Sequence, residues 1–163
     1  MRKTLAIATQ EARAVARQGR LILRAPRRAP PALEAPRLVA FVHGWGAAGP
    51  VFEPLRRRVE QELGVPTVDF TYRSSWSFDR VVGELARRLA PHAGPGRELD
   101  LVGHSLGGLV SRWWVQELGG QPRARRIVTL ATPHAGTRSA RIAPGPLRRA
   151  LLPGSPVVTR LAA

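Results

Sequence analysis

Two short segments of the chain carry residue types that suit acyl-transfer chemistry. The first, Gly103-His104-Ser105-Leu106-Gly107, fits the pattern G-x-S-x-G. In that pattern a serine stands on a sharp turn between a strand and a helix, so that its hydroxyl is exposed for nucleophilic attack. Gly103 and Gly107 allow the turn because bulkier side chains there would collide with neighbouring backbone. The pattern also arises by chance, so its meaning depends on the surrounding elements.

The second segment, His43-Gly44-Trp45-Gly46, is a glycine-rich loop that could complete the same site. Acyl transfer needs two backbone N–H groups aimed at the developing oxyanion, one just after the nucleophile and one from a loop beyond a neighbouring strand. We expect Leu106 to supply the first N–H and Trp45 the second. The Trp45 side chain would then border the acyl pocket.

The other residues of both segments are expected to shape the backbone rather than to carry protons. We expect His43 to end a strand and His104 to pack below the turn of Ser105. The elbow and loop residues beside Ser105, Trp45 and Leu106 are therefore His43, Gly44, Gly46, Gly103, His104 and Gly107.

The elements around these segments alternate between strand and helix. Short apolar runs predict strands over residues 37–42, 65–72, 99–102 and 127–131. Apolar residues at helical spacing predict helices from Phe52 to Leu63, from Phe78 to Leu89 and from Leu106 to Leu118, with a short one near 147–152. This order predicts a parallel sheet with helices on both faces. Both segments would then lie where the strand order reverses, the usual place for ligands.

Three segments in this order resemble bacterial lipases and esterases of the α/β-hydrolase fold. They are residues 38–46, residues 101–108, and Thr129-Leu130-Ala131-Thr132-Pro133-His134-Ala135-Gly136-Thr137. The resemblance covers about residues 37–140, and residues 145–161 are similar to the cap region of such lipases. It implies an ester hydrolase of the triacylglycerol-lipase kind, which cleaves carboxylic esters, lipids above all, through an acyl-enzyme on Ser105.

The resemblance leaves the catalytic acid and base unassigned. Family members carry an Asp and then a His after the serine, but the last acidic residue here is Glu117 and the last histidine is His134. His134 is the one candidate for a substitute base. Without an acid and a base we expect the chain to be nearly inactive. It is therefore either a C-terminally truncated fragment of a lipase or a hydrolase-like binding module without the chemistry.

Three acidic residues ahead of Ser105 have structural roles in this interpretation. Asp69, Asp79 and Asp100 precede the nucleophile, whereas the triad acid of such hydrolases follows it. We expect each of them to have a structural or surface role, and the alternative is a displaced triad acid.

The composition fits one globular domain and disfavours several classes of function. The chain has 163 residues, of which 44% are hydrophobic and 23% charged, so it can bury a core. It has no cysteine, and its four histidines do not space like a zinc site, so we expect neither a metal nor a cofactor. The longest stretch without an acidic or basic residue is 38–52, which is too short for a membrane span.

The net charge of +15 is unevenly distributed. Residues 1–37 hold nine basic and two acidic side chains, residues 38–117 hold nine of each, and residues 118–163 hold eight basic and no acidic ones. Neither basic end contains an aromatic residue, so the chain lacks the stacking platform of a nucleic-acid binder, and we expect no nucleic-acid partner. An anionic membrane surface is the alternative partner.

The domain organisation follows from these patterns. Residues 1–24 predict a basic amphipathic helix, residues 25–36 a proline-rich linker, and residues 37–163 an incomplete α/β-hydrolase domain. The apolar stretch after Met1 ends too early for a secretory signal. We therefore expect a cytoplasmic or peripheral membrane location rather than a secreted one.

Overall fold

A computed structural model describes residues 35–163. The helix predicted for residues 1–24, and the predicted linker up to residue 34, lie outside the described residues, and the domain boundaries stay a prediction. The elements are β1 (Arg37–Val42), α1 (Glu53–Leu63), β2 (Thr67–Phe70), α2 (Phe78–Leu89), β3 (Glu98–His104), α3 (Leu106–Glu117), β4 (Ala124–Leu130), α4 (Arg148–Leu151) and α5 (Pro156–Ala162). Short 3₁₀ helices cover Gly49–Phe52, Ala90–His92 and Arg138–Ile142.

The four strands form one parallel sheet in the order β2-β1-β3-β4. From β1 the chain crosses to β2 on one side and then returns to β3 on the other, so the order reverses beside β1. Val42 pairs with Phe70 of β2 and with Gly103 of β3. The carboxyl ends of β1 and β3 are therefore neighbours, and the predicted parallel sheet is confirmed.

The sheet buries apolar side chains on both faces. Leu38, Ala40 and Val42 of β1 point into the larger cluster, which α2, α3, α4 and α5 cover. Val39 and Phe41 point to the other face, where they join a smaller cluster with Phe52 and Val65. The alternation follows from the two-residue period of a strand, and helices lie on both faces as predicted.

Helix α2 shows how local sequence signals place an element. It spans the predicted residues, and its cap is the predicted Ser77, whose hydroxyl accepts a hydrogen bond from the Arg80 N–H at 3.3 Å. Strand β2 is shorter than the predicted 65–72. Helix α5 was not predicted, because only Val158 and Leu161 of its seven residues are buried.

Only part of the predicted apolar stripe of α1 is buried, because Val59 packs on the smaller cluster but two leucines do not. Leu55 is 38% and Leu63 is 58% exposed, whereas Glu53 and Arg56 are buried. Helix α1 turns Arg56 towards β2, whose facing residues are Thr67 and Asp69. The Arg56 Nε donates to Thr67 Oγ1 at 2.9 Å, and the guanidinium also bonds the Thr67 carbonyl at 3.0 Å and the Asp69 carboxylate. A polar edge strand therefore decides which side of the helix is buried.

Replacing this buried guanidinium should destabilise the fold. We expect Arg56→Met to lower the free energy of unfolding by about 3 kcal/mol, because the buried Thr67 and the partly buried Asp69 lose their charged donor. Arg58→Met is the matched control on the same helix, since the Arg58 side chain is 73% exposed. It should change the free energy by less than about 0.5 kcal/mol. Equal urea midpoints for the two variants would show that Arg56 does not hold α1 on the sheet.

Candidate active site

Ser105 occupies a strained turn between β3 and α3. Its φ of 52° and ψ of −122° are rare for a residue with a side chain, and such strain costs ~1–3 kcal/mol. The Ser105 N–H donates to the Leu130 carbonyl at 2.8 Å, and the Ser105 carbonyl accepts from the Gly108 N–H at 3.0 Å. Strand β4 and helix α3 thus hold the turn from both sides.

The turn lies directly against the end of β1, and glycines make the contact possible. A methyl group at Gly107 would stand 2.0 Å from the Val42 carbonyl oxygen, and one at Gly103 would stand 2.5 Å from the Gly108 Cα. On the facing loop, a methyl group at Gly44 would stand 2.9 Å from Ser105 Cβ. The predicted pair of glycine-rich segments therefore meets around Ser105.

A buried histidine and a tyrosine fix the loop that follows β1. The His43 ring is fully buried and stacks on Tyr72 with 4.1 Å between ring centroids. His43 Nε2 accepts from the Tyr72 N–H at 3.1 Å, and the Tyr72 hydroxyl donates to the His43 carbonyl at 2.8 Å. His43 Nδ1 lies 2.7 Å from the Gly44 carbonyl, so it carries the proton and donates. Burial lowers the pKa of His43, which keeps the ring neutral.

Tyr72 is a site residue that sequence reasoning missed. It is the sole tyrosine of the chain and follows β2 by two residues. Burial raises its pKa, so the hydroxyl remains a donor. One sequence feature could have indicated its role. Tyr72 follows a strand that neighbours β1, so its hydroxyl could reach the loop after β1.

Ser105 and Trp45 line one pocket of about 390 Å³. The rest of its wall comes from the segment after β4 and from α4, namely Thr137, Ser139, Ala140, Ile142, Ala143, Pro144 and Leu151. Trp45 Nε1 is buried and has no hydrogen-bond partner within residues 35–163. The next residue, Gly46, is exposed with a φ of 71°, and its N–H donates to the Ser74 hydroxyl at 2.9 Å.

Comparisons with known proteins support the fold. Residues 81–141 match the family model of the PGAP1-like alpha/beta domain. No curated protein sequence matches the chain. Among solved structures, phospholipase PlaB from Legionella pneumophila is similar with a TM-score of 0.60 and 18% identity, over 77% of this chain and 34% of that protein. Bacillus licheniformis lipase BlEst2 in its mature form is similar with a TM-score of 0.56 and 18% identity, over 83% of this chain and 60% of that protein.

A third relative in structure is the metagenomic carboxyl esterase MGS0156, with a TM-score of 0.53 and 17% identity over 84% of this chain and 46% of that protein. The chain has the α/β-hydrolase fold. It spans less than two thirds of each of these three proteins. At such identities the likeness is one of fold.

Within this hydrolase fold, His104 differs from its predicted position. It does not pack below the turn but is exposed. As the last residue of β3 it lies on the same face as the partly buried Val102, which packs against the smaller cluster. Its partner in register, Leu130 of β4, is 38% exposed on the same face.

His134 is engaged away from Ser105. Its Nδ1 lies 3.0 Å from the Arg112 guanidinium, and its Nε2 lies 3.1 Å from Thr129 Oγ1. Because arginine can only donate, Nδ1 accepts and Nε2 carries the proton towards Thr129. In the part of the chain that the structure describes, no side chain bonds Ser105 Oγ. The structure therefore joins Ser105 and Trp45 at one pocket but does not bring His134 into contact with Ser105.

The acidic residues ahead of Ser105 have structural or surface roles, as expected. Asp69 pairs with Arg56. Asp79 is in the first turn of α2, where its negative charge interacts favourably with the helix dipole. Asp100 lies five residues before Ser105, about 16 Å away along an extended strand. Burial opposes its ionisation, but hydrogen bonds from Arg125 and Arg37 outweigh this and lower the pKa of Asp100.

Within residues 35–163, no group of His, Asp or Glu side chains could hold a metal ion. No helix there combines the length and the hydropathy of a membrane crossing.

Proposed function

We propose that the chain carries the nucleophile and the oxyanion hole of a serine ester hydrolase, with Ser105 as the nucleophile of a G-x-S-x-G elbow. The observation that carries this proposal is the position of Ser105. It has a positive φ at a turn between a strand and a helix, and it lines the same pocket as Trp45. The relatives in structure are a phospholipase, a lipase and a carboxyl esterase. They support carboxylic esters as substrates, with lipid esters as the favoured class.

The oxyanion hole of this proposal consists of the Leu106 and Trp45 N–H groups. Leu106 is the first residue of α3, so its N–H has no acceptor inside the helix and lies at the positive end of the helix dipole. The Trp45 N–H follows the loop that His43 and Tyr72 hold in place. Within the described residues, neither N–H donates to a protein acceptor, so both are available to a developing oxyanion.

The chemistry then divides into two steps. Ser105 Oγ loses its proton to water and bonds to the carbonyl carbon, while the carbonyl π electrons move to the oxygen. Collapse of this intermediate breaks the ester C–O bond, and the departing alkoxide takes up a proton to leave as the alcohol while the acyl-enzyme forms. Water then cleaves the acyl-enzyme and releases the acid. The proton of Ser105 needs an acceptor, and no described histidine bonds Ser105 Oγ. We therefore expect a kcat about 10⁶-fold below that of an enzyme with a complete triad. The oxyanion hole and substrate binding should still accelerate the reaction ~10³–10⁴-fold over the reaction in water.

A second candidate function is a hydrolase-like binding module without turnover. It is favoured by His134, whose two ring nitrogens contact Arg112 and Thr129. In such a module the pocket would bind an ester or acyl group, and Ser105 would stay unmodified.

Release of p-nitrophenol from p-nitrophenyl butyrate separates these two functions. We expect slow release by the wild-type chain and loss of the release above background in Ser105→Ala. Ser75→Ala is the matched control, because Ser75 is exposed and outside the pocket, and it should behave like wild type. Equal release by wild type and Ser105→Ala would reject the hydrolase and favour the binding module.

A further inference from the structure

An exposed apolar side chain stands at the mouth of the Ser105 pocket. Ile142 ends the 3₁₀ helix Arg138–Ile142 and lines the pocket, yet it is 88% exposed. A single exposed isoleucine is ordinary at a protein surface. Its position beside the opening makes it different, because anything that presents a substrate to the pocket would also meet Ile142.

Four arginines belong to the 3₁₀ helix of this side chain and to the helix that follows it. Arg138 and Arg141 belong to the same 3₁₀ helix, and Arg148 and Arg149 begin α4. All four are exposed, and within residues 35–163 none of them pairs with a carboxylate. Residues 118–163 contain no acidic side chain that could neutralise them. We call Ile142 and these four arginines the basic rim.

The basic rim continues into a groove beside the pocket. A cavity of about 370 Å³ is lined by residues 143–146 together with Arg148 and Arg149. It shares Ala143 and Pro144 with the wall of the Ser105 pocket. The positive charge is therefore adjacent to the opening through which a substrate would enter.

We propose that the basic rim docks the chain on an anionic lipid bilayer, with Ile142 entering the headgroup layer and the arginines contacting anionic headgroups. Charge complementarity favours this partner, because cationic side chains near an anionic surface are attracted and a bilayer also accepts an apolar side chain. The absence of any aromatic residue from residues 118–163 disfavours a nucleic acid. This proposal rests on the proposed function only for the class of substrate that enters the pocket. Docking on the bilayer itself needs no catalysis.

Co-sedimentation of the full chain with vesicles tests this proposal. We expect more binding to vesicles of equimolar phosphatidylcholine and phosphatidylserine than to vesicles of phosphatidylcholine alone, and a decrease with added salt. Arg148→Gln combined with Arg149→Gln should lower the partition coefficient on anionic vesicles by about 30-fold, since each charge contributes about fivefold. Ile142→Ser should lower it by about tenfold.

Two matched control variants change the net charge and the hydropathy of the chain by about the same amounts as the rim variants do. Arg123→Gln combined with Arg126→Gln removes two exposed arginines at the start of β4, the end of that strand away from the rim, and Leu63→Ser removes an exposed apolar side chain at the end of α1. Both should bind like wild type. Equal losses in the rim and control variants would overturn the proposal, as would equal binding to the two vesicle types or no binding at all. Binding of double-stranded DNA that depends on the rim as strongly would also overturn it.

A catalytic variant separates this proposal from the proposed function. Ser105→Ala should bind anionic vesicles like wild type, whether or not the wild-type chain cleaves esters. A chain that docks but cleaves nothing would contradict only the hydrolase. A chain that cleaves esters but binds both vesicle types equally would contradict only the docking.

Discussion

Gly107→Ala should lower the free energy of unfolding by about 3 kcal/mol or more, which is the upper end of the usual cost of overpacking. Its methyl group would stand 2.0 Å from the Val42 carbonyl oxygen and 2.6 Å from the His43 carbonyl oxygen. Both are backbone atoms at the end of β1, which has strands on either side. Neither can move away without breaking the sheet, so the strain should act on the whole fold.

Gly83→Ala is the matched control for this substitution. Gly83 is a helical glycine of α2, and its methyl group would have no atom within 4 Å. The alanine should raise the free energy of unfolding by about 1 kcal/mol, because it favours the helix. Urea unfolding of both variants gives the comparison. A Gly107→Ala variant as stable as wild type would show that α3 does not pack on the end of β1 as described.

The parts of the fold that sequence predicts are those with a local signal. Strand β1 and helix α2 follow from an apolar run and from a capped apolar stripe, and both have the predicted bounds. The meeting of the two glycine-rich segments follows from parallel topology, because consecutive crossovers place their strand ends side by side. These predictions needed no knowledge of distant partners.

The errors arise where a distant partner decides which side chain is buried. Arg56 turns towards Asp69, thirteen residues away, because the edge strand presents polar groups to α1. His104 is exposed although Val102, two residues earlier on the same face of β3, packs against the smaller cluster. A helical or two-residue period shows which residues share a face, but it does not show whether that face meets another element.

The candidate site divides in the same way. Ser105, Trp45 and their glycines follow from motifs that specify backbone shape. The clamp of His43 by Tyr72 spans 29 residues and depends on hydrogen bonds to backbone atoms. Composition and spacing carry no signal for such bonds. A sole tyrosine beyond β2 was the nearest hint.

The charge of +15 has a more specific meaning in the structure. Arg125 and Arg37 hold Asp100, and Arg56 holds Asp69, so part of the arginine content builds the scaffold. The arginines of the basic rim have no such carboxylate partner within the described residues. Within residues 35–163, four exposed arginines without a carboxylate partner are therefore near the pocket.

The most direct test of the central claim is covalent labelling of Ser105 by an alkyl fluorophosphonate. Its phosphorus bonds to the serine oxygen and fluoride leaves, so intact-mass and peptide mass spectrometry identify the modified residue. We expect one slow adduct on the peptide that contains Ser105, kept in Ser75→Ala and lost in Ser105→Ala and in urea-unfolded protein. An adduct on another residue, equal labelling of Ser105→Ala, or no adduct on folded wild-type protein would contradict the account of Ser105 as the nucleophile.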